Sequence, residues 1–244
     1  MVYQERPFLE RIDRAAELGV DAVEFWEWTN KDLDAVQARI DKHDLDLVGM
    51  VGAGTEDPDL TDPNQREQAI ATIEDSIATA KEIGRPNLMV LSGQAQADMD
   101  RASQHESVVS VLEEVTSTAK AADVTLLLEP LNTAVDHPNH FLETSTEGYE
   151  ILDEVDSPAL ELLFDIYHQQ VSEGNIIENM TNHIDRIGHV HVADVPGRHE
   201  PGDGELHYEN ILRAIDQAGY EGYVGYEFEP AEDSDDAIRS IWEE

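Results

Sequence analysis

The stretch IGHVHVADVPGRHEPGDGE, residues 187–205, begins as a strand and ends as a polar loop. Ile187, Val190 and Val192 are β-branched residues in a short apolar run, which predicts a buried strand. His191 lies near the end of this run, and the loop after it is rich in proline, glycine and charge. Parallel α/β proteins place their active sites where strands pass into loops, so the stretch predicts such a fold with functional groups at this end.

Apolar strand-like segments alternate with helix-like segments along the rest of the chain. Continuously apolar strands are typical of a parallel sheet that is covered on both faces. The length of 244 residues is close to the roughly 250 of a (β/α)8 TIM barrel, so we expect one such α/β domain spanning residues 1–244. Six further strands are predicted at 20–26, 45–51, 87–91, 124–129, 160–165 and 222–228. Eight helices are predicted at 7–18, 31–43, 64–83, 101–122, 146–155, 174–183, 207–218 and 233–242.

The predicted strands number seven, one fewer than an eight-stranded barrel requires. The chain starts with a helix, and only MVYQER precedes Pro7. We therefore expect the first strand to be missing or truncated, with the chain as given beginning late, at an internal methionine. A doubly wound open sheet is the alternative fold, but no glycine-rich phosphate-binding turn follows a strand.

The chain carries 54 acidic residues against 15 basic ones, a formal net charge of −39. The acids are spread among apolar periodic segments, which excludes a disordered acidic tail. We expect a carboxylate-covered surface suited to the cytoplasm of a halophile, where salt screens the repulsion between like charges. No basic run is present, which argues against binding to nucleic acid.

Several other classes of protein are excluded by composition. There are no cysteines, so disulfides, thiol catalysis and cysteine-ligated zinc are excluded. No apolar run is long enough to cross a membrane, and the first residues lack the basic and apolar segments of a signal peptide. We expect a soluble cytoplasmic protein without membrane partners, for which a homo-oligomer is an open option.

Four side chains that can ligate a metal stand at the ends of predicted strands: Glu129, Asp165, His191 and Glu227. Their separations of 36, 26 and 36 residues are about one strand-helix unit each, so in a barrel they meet at one rim. Singly, such residues are often helix caps or satisfied core groups. Three carboxylates buried together without a cation are very costly, however. The set predicts a site for a divalent metal ion, Mn²⁺, Mg²⁺, Co²⁺ or Zn²⁺.

Several segments of the chain resemble the hydroxypyruvate isomerase family. These are PFLERIDRAAELGVDAVEF at 7–25, EPLNTAVDHP at 129–138, FDIYHQQ at 164–170, HVADVPGRHEPGDGELHY at 191–208 and YEFEP at 226–230. The family belongs to the xylose isomerase-like barrels, with ketose 3-epimerases as close relatives. The resemblance covers nearly the whole chain and implies that the four strand-end residues are the metal ligands. Some members have glutamine at the position of His191, whereas the epimerase relatives have histidine.

The resemblance implies an isomerase that acts through an enediolate. Moving a proton between adjacent carbons needs a cation to stabilise the developing oxyanion and a group that takes and returns the proton. We expect Glu129 and Glu227 to be the catalytic pair, with Asp165 and His191 holding the metal. Hydroxypyruvate, converted to tartronate semialdehyde, is the favoured substrate. A ketose 3-epimerase and a 2-oxo-tetronate isomerase are the near alternatives, and an endonuclease-type phosphodiesterase or a non-catalytic barrel are the remote ones.

Two residues of the opening stretch are candidates for substrate binding. Arg198 can pair bidentately with the carboxylate of a small acid, or can form a salt bridge with Glu200 or Glu205. Glu200 is expected to orient Arg198 or His199.

Two further candidates for substrate binding lie elsewhere in the chain. The resemblance implies that His168, in the loop after a strand, touches a substrate oxygen, while a bond to the backbone is the alternative. Glu24 is expected to bond another residue of the site or to be a buried structural acid. Trp26 is expected to be packing, and a solvated loop is expected to hold His137 and His140.

The acidic surface generates a prediction about salt. We expect the melting temperature to rise from low to multimolar salt, because screening weakens the repulsion among surface carboxylates. Thermal unfolding followed by circular dichroism in a salt series measures this. An unchanged melting temperature across the series would contradict the expectation.

Overall fold

The computed structural model describes residues 1–54, 58–202 and 204–243. Within these residues the chain forms seven parallel strands, each followed by a helix. The strands in this part of the chain are β1 (Ala22–Phe25), β2 (Asp46–Ala53), β3 (Asn87–Val90), β4 (Leu126–Leu128), β5 (Leu160–Asp165), β6 (Ile187–Val192) and β7 (Val224–Tyr226). The helices are α1 (Phe8–Glu17), α2 (Leu33–His43), α3 (Arg66–Glu82), α4 (Arg101–Ala122), α5 (Ser145–Val155), α6 (Ile166–Ser172), α7 (Ile176–Thr181), α8 (Tyr208–Ala218) and α9 (Ser234–Glu243), with a 3-10 turn at Ile184–Arg186.

The strands form one sheet in the order β1 to β7, and every neighbouring pair is parallel. Among the described residues, β7 does not pair with β1, so the sheet is a nearly closed barrel of seven strands. Residues 1–7 form no strand. The predicted barrel is therefore confirmed, with seven strands found where seven were expected.

Alternation along the strands divides the core into two layers. Leu126 and Leu128 point out into the large cluster that packs against the helices, whereas Leu127 points into the barrel. Inside the barrel, Leu127 packs with Leu163 and Met89. Because side chains alternate between the two faces of a strand, the residue two positions after an inward one also points inward. Glu129 follows Leu127 in this way, and Asp165 follows Leu163.

One predicted loop is instead a helix. Helix α6 begins directly after β5, because the side chain of Asp165 caps it by accepting a hydrogen bond from the main-chain N–H of His168 at 3.0 Å. His168 thus lies in the first turn of a helix. The predicted helix at 174–183 is shortened to α7, and the 3-10 turn begins after two intervening residues.

Other element boundaries move by a few residues. The strands predicted at 20–26 and 222–228 shorten to the four residues of β1 and the three of β7. Within the described residues, no helix combines the length and the apolar character that crossing a lipid bilayer requires.

Candidate metal centre and active site

The four strand-end residues predicted as metal ligands come together at the carboxyl end of the barrel. Glu129, Asp165, His191 and Glu227 are all buried, and each offers one ligand atom within 4.8 Å of the others. His191 Nδ1 lies 3.9 Å from Glu129 Oε1 and 3.7 Å from Glu227 Oε2. The register of the sheet explains the meeting, since Asp165 is paired with His191 and His191 with Gly225, two residues before Glu227.

Two buried polar atoms of this cluster form no hydrogen bond among the described residues. Asp165 Oδ2 and His191 Nδ1 are buried and have no hydrogen-bond partner in the described structure. Burial, opposed by His191 and reinforced by Glu227 and Asp165, raises the pKa of Glu129 to about 8. Without a cation the cluster therefore does not hold all its carboxylates charged at neutral pH. Three oxygen donors and one imidazole nitrogen around unpartnered atoms fit a divalent metal ion.

Asp165 serves two purposes at once. Its Oδ1 caps helix α6, while its Oδ2 is the unpartnered atom that faces the cluster. The helix cap considered as an alternative to metal binding is thus present together with the ligand geometry. Capping fixes the carboxylate plane, so Oδ2 is held in place before any ion binds.

Glu24 supports the cluster from below. Its Oε2 lies 3.0 Å from His189 Nε2 and 3.3 Å from His191 Nε2. Burial by itself would raise the pKa of Glu24, but the two histidines hold it well below its ordinary value, so the group is a carboxylate. An acceptor at Nε2 keeps one ring proton of His191 on that nitrogen, so Nδ1 faces the cluster and would offer its lone pair to a metal. Glu24 therefore contacts another site residue, one of the two roles expected from sequence.

Two glycines make room for this support. A Cβ on Gly225 would lie 2.3 Å from Glu24 Oε1, 2.8 Å from His191 Cδ2 and 2.9 Å from His189 Nε2. A Cβ on Gly49 would lie 3.2 Å from Glu24 Oε2. Strand β7 thus passes so close to the Glu24 group that a side chain there would displace it.

The loop after β6 is built around one buried carboxylate. Asp194 accepts four main-chain N–H groups, from Val195 at 2.8 Å, Gly202 at 3.0 Å, Gly204 at 2.9 Å and Leu206 at 3.1 Å. A Cβ on Gly204 would lie 2.2 Å from the carbonyl oxygen of Val195, so the loop closes too tightly for a side chain. Residue 203 lies outside the described part of the loop.

Arg198 is directed into the site by this loop. Its main-chain N–H donates to the carbonyl of Asp194 at 3.0 Å, and its φ of +58° turns the side chain towards the barrel. Nη2 donates to Glu227 Oε2 at 2.5 Å and lies 3.8 Å from Asp165 Oδ2, and the guanidinium lies over the ring of Tyr167. Its Nε is buried and unpartnered in the described structure. The guanidinium of Arg198 thus lies next to the carboxylates of the cluster and keeps one free hydrogen-bond donor among the described residues.

The salt bridges considered for Arg198 form with other residues. Its described ion-pair partners are Asp165 and Glu227, and neither Glu200 nor Glu205 is among them. Glu200 Oε2 instead accepts from the main-chain N–H of Ala231 at 3.0 Å, so the expectation that it orients Arg198 or His199 is wrong. The half-buried carboxylate of Glu200 thus ties the loop after β6 to the segment after β7.

His168 and two loop histidines border the cluster. His168 is buried, and its Nε2, unpartnered in the described structure, lies 3.7 Å from Asp165 Oδ2. The ring of His137 lies 5.2 Å from that of His168, and His140 is buried against Ser92 with Nε2 3.1 Å from Oγ. A solvated loop is therefore the wrong description for His140.

Trp26 is a site residue that sequence reasoning missed. Its indole N–H donates to Glu227 Oε1 at 2.8 Å, while the ring is half exposed. Trp28, by contrast, bonds Ser76 away from the site, at 3.1 Å. The signal for Trp26 is its position two residues after the inward Glu24, which points it to the same side of β1. Glu227 is therefore held at both oxygens, by Trp26 and by Arg198.

Comparison with known proteins identifies the family of this chain. The model of the xylose isomerase-like TIM barrel family matches residues 12–243. This chain belongs to the xylose isomerase-like TIM barrel family. It is 35% identical over 94% of its length to the 2-oxo-tetronate isomerase of Cupriavidus necator, of which it covers 90%. It is 29% identical over 98% of its length to the hydroxypyruvate isomerase of Escherichia coli, of which it covers 94%.

Two solved structures superpose closely on this one. A structure named as an AP endonuclease of family 2 from Brucella melitensis has a TM-score of 0.92 at 27% identity, covering 99% of this chain and 95% of that one. The 3-keto-D-glucoside 4-epimerase of Escherichia coli has a TM-score of 0.85 at 24% identity, covering 96% and 92%, which shows the shared fold.

The support under His191 generates a prediction for this barrel. We expect Gly225→Ala to weaken divalent metal binding by about 10 to 100-fold, because the new Cβ displaces Glu24 and frees the His191 ring to turn. Glu24→Gln is expected to act in the same direction. Isothermal titration with Mn²⁺ measures the affinity.

Gly174→Ala is the matched control for a general loss of stability. Gly174 has a φ of +67°, and a Cβ added there would meet nothing within 4 Å, so this variant strains the backbone outside the cluster. Its metal affinity should equal that of the wild type. Equal affinity of Gly225→Ala and wild type would show that Glu24 does not support the centre.

Proposed function

We propose that this protein is a metal-dependent isomerase of small 2-oxo acids that carry a hydroxyl group on the adjacent carbon, with hydroxypyruvate as the favoured substrate and tartronate semialdehyde as its product. One observation carries the proposal. Two buried, unpartnered ligand atoms, Asp165 Oδ2 and His191 Nδ1, lie among the carboxylates of Glu129 and Glu227, directly beside the guanidinium of Arg198.

The reaction moves one proton between neighbouring carbons. A proton leaves C3 of hydroxypyruvate to give an enediolate across C2 and C3, and a proton is returned to C2. The O3 hydroxyl loses its proton, and O2 gains one, so no oxidant or reductant is needed. A divalent ion held by Glu129, Asp165, His191 and Glu227 would supply positive charge to the oxygens on which negative charge develops.

Glu129 and Glu227 are the residues that we assign to the proton transfer. They follow β4 and β7, with β5 and β6 between them, so a substrate over the cluster would lie between the two carboxylates. Trp26 and Arg198 fix both oxygens of Glu227, which gives that carboxylate a defined direction. A carboxylate positioned within hydrogen-bond reach is suited to general base catalysis.

Arg198 is the residue that we assign to the substrate carboxylate. Its unpartnered Nε and the geometry of a guanidinium allow a paired contact with two carboxylate oxygens. His168 Nε2, on the other side of Asp165, is placed to meet a further substrate oxygen.

A 2-oxo-tetronate isomerase is the second candidate, favoured by the 35% identity to the Cupriavidus necator enzyme of that name. Its substrate has the same carboxylate, carbonyl and neighbouring hydroxyl, with one carbon more. The site residues would serve both acids in the same way. A ketose 3-epimerase would use the same metal and glutamates but has no carboxylate to engage Arg198.

Endonuclease activity, in the name of one structural neighbour, is a poorer match. A phosphodiester backbone is bound by a basic surface, and this chain carries 54 acidic residues against 15 basic ones. The centre described above also draws only one histidine into its four ligands.

The surface charge bears on the salt concentration in which the protein would function. A net charge of −39 on 244 residues supports a role in concentrated salt, as in the cytoplasm of a halophile. The identity of the metal among Mn²⁺, Mg²⁺, Co²⁺ and Zn²⁺ and the presence of a homo-oligomer stay predictions.

A substrate panel with and without metal tests the function. We expect turnover of hydroxypyruvate or 2-oxo-tetronate at high salt with Mn²⁺ or Co²⁺, loss of turnover after treatment with EDTA, and recovery on adding metal back. Free ketoses and an abasic oligonucleotide serve as the comparison substrates. Full activity in a metal-free preparation would remove the mechanism, and preferential turnover of ketoses would replace the acid substrate.

Replacement of the arginine tests the assignment of the carboxylate. Arg198→Ala should lower kcat/KM for hydroxypyruvate by about tenfold or more beyond its effect on a neutral ketose, because a charged hydrogen-bonded pair is lost with the acid alone. The ketose measures the effect that passes through Glu227, which Arg198 also contacts. Equal losses for the two substrates would assign Arg198 to Glu227 rather than to the substrate.

A further inference from the structure

The amide of Asn132, three residues after Glu129, is fixed in one orientation. Its Oδ1 accepts the main-chain N–H groups of Val135 at 3.0 Å and Asp136 at 3.1 Å. Main-chain N–H groups can only donate, so the atom facing them must be the oxygen. The two hydrogens on Nδ2 therefore point the other way, and the side chain is fully buried.

One of these two hydrogens forms a hydrogen bond with a carboxylate. Asn132 Nδ2 donates to Asp136 Oδ2 at 2.8 Å, and the same oxygen accepts the hydroxyl of Tyr167 at 2.7 Å. The loop after β4 and the helix α6 are joined at this point. The amide is thus held from both ends and cannot turn over without losing three hydrogen bonds.

The second hydrogen on Nδ2 points at His168. Nδ2 lies 2.7 Å from His168 Nδ1, and the main-chain N–H of Asn132 also points at Nδ1, at 3.4 Å. Nδ1 thus faces two donors, so it carries the lone pair, and the ring proton must be on Nε2. Nε2 is the buried nitrogen without a described partner, 3.7 Å from Asp165 Oδ2, which is too far for a hydrogen bond.

We propose that Asn132 is a positioning residue that holds His168 in the neutral Nε2–H tautomer, so that His168 donates a hydrogen bond to an oxygen of the substrate and does not take up a substrate proton. This inference rests on the proposed function, because it assigns a role at the same site. The two donors that face Nδ1 leave no acceptor there for a second ring proton, which agrees with a neutral ring. A neutral imidazole that donates to an enediolate oxygen stabilises developing charge without competing with Glu129 and Glu227 for the proton.

The tautomer is read directly by nitrogen NMR on the Mg²⁺-loaded protein. Long-range ¹H–¹⁵N spectra of histidine-labelled protein distinguish a protonated ring nitrogen from one that bears a lone pair. The signals of His168 are assigned among the ten histidines by their loss in His168→Gln. The expected result is a proton on Nε2 and none on Nδ1, without substrate. A proton on Nδ1 in the wild-type protein overturns the inference.

A charge-neutral exchange tests the cause of the tautomer. The double variant Asn132→Asp with Asp136→Asn keeps the net charge and the amide–carboxylate pair but presents an acceptor to His168 Nδ1. We expect Nδ1 to become protonated and kcat/KM to fall at least about tenfold, within the range of losing one donor to a developing oxyanion. Asp136→Asn alone leaves the donor of Asn132 in place and is the matched control, with the wild-type tautomer expected. An unchanged tautomer in the folded double variant overturns the role of Asn132.

The replacement of the histidine separates this inference from the proposed function. His168→Gln retains an N–H donor of similar reach and should keep more of kcat than His168→Leu, while metal affinity stays the same in both. Equal kcat values for the two variants overturn the donor role. The tautomer is measured without substrate, so an inactive protein with the Nε2–H tautomer contradicts the proposed reaction alone, and an active protein with a proton on Nδ1 contradicts this inference alone.

Discussion

Mutual repulsion among buried carboxylates is the constraint around which the upper end of this barrel is arranged. Glu129, Asp165 and Glu227 approach one another in a volume that water hardly reaches. Charges this close are tolerated in a protein interior only with compensating positive charge. Arg198 supplies part of it from the chain. A bound cation would supply the rest of the compensating positive charge. The surrounding hydrogen bonds hold the carboxylates in place before a cation binds.

Two histidines face the same centre, one with a lone pair and the other with an N–H group. The side chain that contacts the far ring nitrogen determines which of the two faces inward. Behind His191 stands the carboxylate of Glu24, which draws the ring proton to the far side and turns a lone pair inward. Behind His168 stands the amide of Asn132, which donates and so leaves the proton on the inward side. One imidazole is thereby suited to a cation and the other to an anionic oxygen. The difference comes entirely from the chemistry of the supporting side chain.

The barrel and the meeting of the four candidate ligand residues could be predicted because the two-residue alternation of strands can be read from the sequence alone. Glu129 and Asp165 end apolar runs whose inward members are Leu127 and Leu163, so their direction follows from position alone. The hydrogen bond from Trp26 to Glu227 is different, since it spans 201 residues and depends on how the barrel closes. Helix α6 escapes prediction because the residue that caps it, Asp165, also belongs to the centre, and its seven residues show too little periodicity.

The loop around Asp194 gives the site a property that its distances alone do not express. One carboxylate gathers four main-chain N–H groups, so the conformation of the loop is determined by the chain itself, before any ligand arrives. Arg198 is delivered on a preorganised support, and the entropic cost of ordering it is met during folding rather than during binding. A substrate carboxylate would therefore meet a guanidinium whose position the chain has already set, and selectivity among acids would depend on fit and charge at that fixed point.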